Sequence, residues 1–108
     1  VTLEKTIEDR AVRELAKLGI TAIKFGTDGW PDRVVPYAPG RVIWLEFKTP
    51  EGNLRPNQKI RHKQLNRMKQ EVAVVRSWKE AVAAVIKARR SLARTDERRR
   101  RADKPAPE

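Results

Sequence analysis

Cysteine is absent from the 108-residue chain, and histidine occurs once, as His62. Disulfides, thiolate nucleophiles and thiolate-held zinc are therefore excluded, and one copy of the chain cannot build a multi-histidine metal centre. Any metal must be held mainly by oxygen donors, which suits a hard cation such as Mg2+ or Mn2+. Long apolar runs are also lacking. None approaches the ~20 residues that a membrane span requires. Glu4, Lys5, Glu8 and Asp9 interrupt the start, so no secretory leader is expected. A cytoplasmic protein without a membrane partner is the expectation.

Negative charge is scarce relative to positive. Lys and Arg total 25 against 14 Asp and Glu, a net charge of +11. So basic a small domain repels itself unless a polyanion or salt compensates, and nucleic acid is the natural partner because each phosphate contact releases counterions. Hydrophobic residues make up 39% and mean hydropathy is -0.72. That supports one compact domain with a modest core and a strongly charged surface.

Leu3, Ile7, Ala11, Val12, Leu15 and Leu18 recur at helical spacing. They predict a first helix capped by Thr2 and stopped at Gly19. Residues 20–25 and 33–35 read as short strands, the second closed by Pro36 and the Pro39-Gly40 turn. Residues 41–48 alternate Ile43, Leu45 and Phe47 with Trp44, Glu46 and Lys48, the period of a strand. Pro56 suits the first turn of a helix to about Lys69, with Ile60, Leu65 and Met68 on its buried face. Residues 72–76 read as a strand. Ser77 and Glu80 then stand at capping-box spacing before a helix from Trp78 to about Arg90. The order α-β-β-β-α-β-α predicts an α/β domain, a small mixed sheet flanked by helices, over residues 1–88. Residues 89–108 are expected to form a basic C-terminal tail, either a helical extension or a disordered arm.

The most informative feature is Pro31-Asp32 followed, after a spacer, by Glu46-Phe47-Lys48. Glu46 and Lys48 lie two apart on one strand and share a face. Opposite charges on an otherwise apolar strand are costly unless paired with each other or with a metal. If the two strands are neighbours, Asp32 lies beside Glu46. Two adjacent carboxylates repel, and a divalent cation relieves the repulsion. Such a cation activates water and polarises a phosphoryl oxygen, while Lys48 can orient the water or stabilise developing charge. The combination suits phosphodiester hydrolysis.

These residues resemble the PD-(D/E)XK nuclease signature. The wider string Gly29-Trp30-Pro31-Asp32-Arg33, Pro39-Gly40-Arg41-Val42, Leu45-Glu46-Phe47-Lys48 and Leu54-Arg55-Pro56-Asn57-Gln58 resembles the VRR-NUC domain in its short stand-alone form from phages and bacteria. The resemblance covers roughly residues 3 to 80. It implies a restriction-endonuclease-like core and a metal-dependent endonuclease associated with branched DNA such as Holliday junctions. It also implies metal binding by Asp32, Glu46 and the Phe47 carbonyl, a catalytic role for Lys48, and a helper role for Gln58. Glu4 matches the acid of the first helix that can complete the metal shell, and Glu8, one turn later, rivals it. Family members often carry a glycine before the last core strand, where this chain has Lys69-Gln70-Glu71.

Around this set, Lys24, Arg33, Arg55, Lys59, Arg61 and Lys63 are candidates for phosphate binding. His62 lies one turn beyond Gln58 and could face the same site. Trp30 and Trp44 could stack on unpaired bases, although packing is the simpler role. A resolvase that nicks symmetrically needs two sites, so a homodimer is expected. The rival readings are a non-catalytic basic DNA-binding module and a scaffold that grips nucleic acid with its tail.

Overall fold

The computed structural model describes residues 1–103. Residues 104–108 of the expected tail lie outside the described residues. The elements are α1 (Leu3–Lys17), β1 (Ile23–Lys24), β2 (Arg33–Ala38), β3 (Arg41–Phe47), α2 (Pro56–Arg67), β4 (Glu71–Val75) and α3 (Trp78–Ala102). The strands form one sheet in the order β1-β2-β3-β4. β1, β2 and β3 are antiparallel neighbours, and β4 joins β3 in parallel after the α2 crossover. The mixed α/β architecture and its element order are as expected from the sequence.

One face of the sheet carries the core. Val35, Ile43, Leu45, Phe47 and Val75 meet Ala11 and Leu15 of α1 and Ala81, Val85 and Ala88 of α3. The period-2 alternation of β3 thus aims Ile43, Leu45 and Phe47 into the apolar layer. It leaves Trp44 and Glu46 on the opposite face, in register with Val72 and Val74 of β4. The ends of the α1 stripe lie outside the core, with Leu3 57% and Leu18 49% exposed. Thr2 caps α1 through the Lys5 amide, and Gly19, at φ 76°, closes it as expected. The Gly19 and Ile20 amides bond back to the Ala16 and Leu15 carbonyls.

Three boundaries differ from expectation. β2 does not stop at Pro36 but continues to Ala38, with a register shift between Pro36 and Ala38. β1 pairs only with Arg33 and Val34, so Pro36 lies where that side of β2 has no partner and a missing N–H is tolerated. The strand expected over residues 20–25 shrinks to Ile23–Lys24, because Ile20 and Ala22 leave α1 as buried core residues rather than as ladder partners. Helix α3, expected to end near Arg90, runs without a break through the composition change near residue 89 to Ala102.

Candidate functional site

Helix α2 shows how the second face of the sheet is covered. Its buried residues are Gln58, His62 and Leu65, whereas Ile60 and Met68 are 59% and 62% exposed. This corrects the apolar face expected from the sequence. Gln58, His62 and Leu65 recur at one helical spacing, and the stripe they form lies over a face that presents Glu46. Polar groups there are buried because they have polar partners. The Gln58 side-chain oxygen accepts from the Arg55 amide at 2.9 Å, while Pro56 supplies the first turn.

Glu46 is 1% exposed, and its Oε1 lies 3.3 Å from His62 Nε2. Asp32 stands at the bend before β2. Its Oδ2 accepts from the Phe47 amide at 2.7 Å, which fixes its carboxyl against the end of β3. Burial pushes the Glu46 carboxyl up to about 8, and a hydrogen bond and charge repulsion from Asp32 push the same way, with the Lys48 ammonium opposing. The proximity of Asp32 thus disfavours the ionised form of the buried Glu46 carboxyl. Lys48 follows β3, is 7% exposed, and has its amide bonded to the Val75 carbonyl at 3.0 Å. Burial lowers the His62 pKa and the nearby Lys48 charge lowers it further, with Asp32 opposing. His62 is thereby disposed to stay neutral against Glu46.

The first helix supplies both rival acids, and the structure separates them. Glu4 is half-buried and close enough for its charge to raise Glu46. Glu8 is committed elsewhere: its Oε2 accepts from Lys24 Nζ at 2.9 Å and Arg33 Nε at 2.7 Å. Arg33 also donates to the Ala22 carbonyl, and its side chain is 14% exposed, so two of the six phosphate candidates are tied to one internal carboxylate. Arg55 is exposed and pairs loosely with Asp28 at 3.7 Å. Lys59 and Lys63 are exposed on α2, and Arg61 lies over the Trp30 ring at 4.4 Å. Phe25, Trp30 and Trp44 form one aromatic cluster with centroids 5.1–5.4 Å apart.

One residue of consequence has no signal in the sequence. Arg76 Nη1 donates to the Thr49 and Gly52 carbonyls at 2.7 and 2.6 Å and approaches that of Pro50 at 3.4 Å. It staples the loop between Lys48 and α2 to the start of α3. Only the fold brings Arg76 to that loop, because β4 lies parallel to β3 and ends beside it.

A small mixed sheet with an acid pair and a lysine at the end of its central hairpin defines the restriction-endonuclease-like class. No protein-family model matches the chain. It is 36% identical over 77 residues to a protein named "Putative nuclease p44" from Acyrthosiphon pisum secondary endosymbiont phage 1, covering 68% of this chain and 83% of that relative. A solved structure described as a VRR_NUC domain superposes with a TM-score of 0.68 and 25% identity, over 79% of this chain and 96% of its own. The chain belongs to the VRR-NUC domain family.

Proposed function

We propose that the protein is a metal-dependent endonuclease that hydrolyses DNA phosphodiester bonds and prefers branched DNA such as Holliday junctions. The observation that carries this reading is the pairing of Asp32 with buried Glu46 beside Lys48. A net charge of +11 and membership of the VRR-NUC family support it. The donor set suits Mg2+ or Mn2+, since a divalent cation relieves the repulsion between two adjacent carboxylates. Asp32, Glu46 and the Phe47 carbonyl would hold it, with Glu4, whose charge reaches Glu46, as a further acid. Among the described residues no three acid or histidine side chains form a closed cage. A magnesium ion on these few ligands would keep several waters and take substrate phosphate oxygens. Bound there, the cation supplies an activated water and neutralises charge on the phosphate.

The chain's own groups do the rest. Lys48 donates to a phosphate oxygen or to the attacking water and holds positive charge where negative charge develops. Gln58, its carbonyl engaged by the Arg55 amide, presents its amide nitrogen as a donor. His62 orients Glu46. Arg55, Lys59, Arg61 and Lys63 would hold the DNA backbone. Symmetric cutting of a four-way junction requires two such sites, hence a homodimer.

The test is cleavage of labelled four-way junction, flap and linear duplex DNA, with and without Mg2+ or Mn2+, by wild type and Lys48→Ala. Metal-dependent cutting is expected, strongest on branched DNA, and should fall at least about 100-fold in the variant. Tight binding without cutting by wild type under either metal would instead identify a non-catalytic DNA-binding module. Solution mass with and without junction DNA reads the dimer.

A further inference from the structure

Beside the acid pair a cleft of about 340 Å³ opens between the 25–30 loop and the start of α2. Its walls include Asp32 and Gln58 on the inner side, Phe25 and Trp30 along one flank, and Lys24 and Arg55 at the mouth. The cleft is built rather than accidental. Gly29 sits at φ +81°, and a Cβ there would meet Asn57 at 3.4 Å. Asn57 in turn donates to Asp28 at 3.2 Å, tying the loop to α2. Trp30 is braced by Phe25 and Trp44 and covered on one side by the half-buried Arg61.

The geometry points to a subsite for one unpaired nucleotide next to the phosphate that is cut. The inference rests on the nuclease reading and names what that nuclease selects. A phosphate at Asp32, Glu46 and Lys48 places its neighbouring nucleotide at the cleft. The lining offers the parts of a nucleotide their complements: aromatic rings for a base, an amide for its edge, and the Arg55 side chain, 62% exposed, for its phosphate. A base stacked inside an intact duplex shows no free face, so only a nucleotide splayed from the helix can fill the cleft. Branch points and gaps supply such nucleotides, and linear duplex does not. Preference for branched DNA would then reside in Trp30, Phe25 and Arg55 rather than in the acid pair. Asp28, 82% exposed beside Arg55, opposes a phosphate at the mouth and sharpens the need for the base to be bound as well.

The experiment places 2-aminopurine at the unpaired nucleotide of a gapped duplex, and at the same position of a fully paired duplex, with metal chelated so that nothing is cut. Wild type is expected to quench the probe in the gapped DNA alone, and Trp30→Leu to abolish that quenching. In the cleavage arm with metal, Trp30→Leu should lower kcat/KM on gapped DNA about ten-fold or more while linear duplex cutting stays within about two-fold. Should Trp30→Leu fail to fold, Phe25→Leu, on the same flank of the cleft, reads the same split between substrates. No quenching by wild type overturns the subsite, as does an equal loss on both substrates in a variant that melts like wild type. Quenching by a wild-type protein that never cuts leaves the subsite standing and removes the nuclease reading. Cutting without quenching does the reverse.

Discussion

Glu8 is a carboxylate inside the protein with two cations upon it. Burial alone would raise its pKa, but hydrogen bonds from Lys24 and Arg33 outweigh that, and the carboxyl is held below its usual value of 4.5. A lowered folded pKa means that the contribution of Glu8 is present at neutral pH and is lost as pH falls through the carboxylate range. Lys24 is half exposed, so its share is screened by solvent, whereas Arg33 is largely buried. Glu8→Gln is expected to cost about 2 kcal/mol at pH 7, less than a fully buried pair would. Its stability should also decline less steeply than wild type below pH 4.5. Denaturant titrations across that range check both points. At this scale Asp32, Glu46 and Lys48 were readable in the sequence because their signature falls within one hairpin, at fixed spacing on a recognisable strand. The choice between Glu4 and Glu8 was not. Both lie on one helix face, and only the position of Lys24 and Arg33 across the sheet assigns Glu8 to an ion pair. Arg76 was unreadable for a similar reason, since its three carbonyl partners lie more than an element away in sequence.

Helices α1 and α2 end in the same way, with two amides folding back onto the preceding turn, but with different residues at the critical position. In α1 the left-handed residue is Gly19. In α2 it is Lys69, at φ 59°, whose amide bonds to Asn66 while that of Gln70 bonds to Leu65. An L side chain in that region costs roughly 1 kcal/mol or more. Lys69→Gly is therefore expected to raise stability by about 0.5–1 kcal/mol, after allowing for the greater freedom of glycine in the unfolded chain. Thermal and denaturant unfolding would detect it, and DNA cleavage should be unaffected. Stretches whose core-facing side is apolar, such as Ile43, Leu45 and Phe47 in β3 and Ala11 and Leu15 in α1, followed from periodicity. Helix α2 did not, because its inner stripe is built from Gln58 and His62, which cover an acid rather than an apolar surface. Hydrophobicity then pointed to Ile60 and Met68, on the wrong side of the helix. A residue pattern marks burial only when what is buried is apolar, and that fails first next to a charged site.

The molecule measures 65 × 31 × 22 Å, with a radius of gyration of 16.3 Å. A compact chain of about 100 residues has a radius near 13 Å. The excess comes from α3, whose 25 residues at ~1.5 Å each extend past the body of the sheet. Ala88 is its last buried residue, and Leu92 still leans on the core. Beyond Asp96 every described side chain is exposed, with Arg98 to Arg101 in an unbroken run. Ending the chain after Asp96 is therefore expected to shift the melting midpoint little, while weakening the salt-dependent part of DNA affinity. A melt and a binding series in rising salt would separate the two. Within the molecule the acids and their covering helix differ in the order in which they arrive. Asp32, Glu46 and Lys48 belong to β2, β3 and the residues at their ends, joined by the tight turn at Pro39-Gly40. Gln58 and His62 come later in the chain, and β4, which locks β3 in place, later still. During synthesis the acid pair can thus be brought together by a local hairpin while water still reaches it. The helix that makes Glu46 a buried group is added to a hairpin already formed, so the energetic cost of enclosing that acid falls on the closing step of folding.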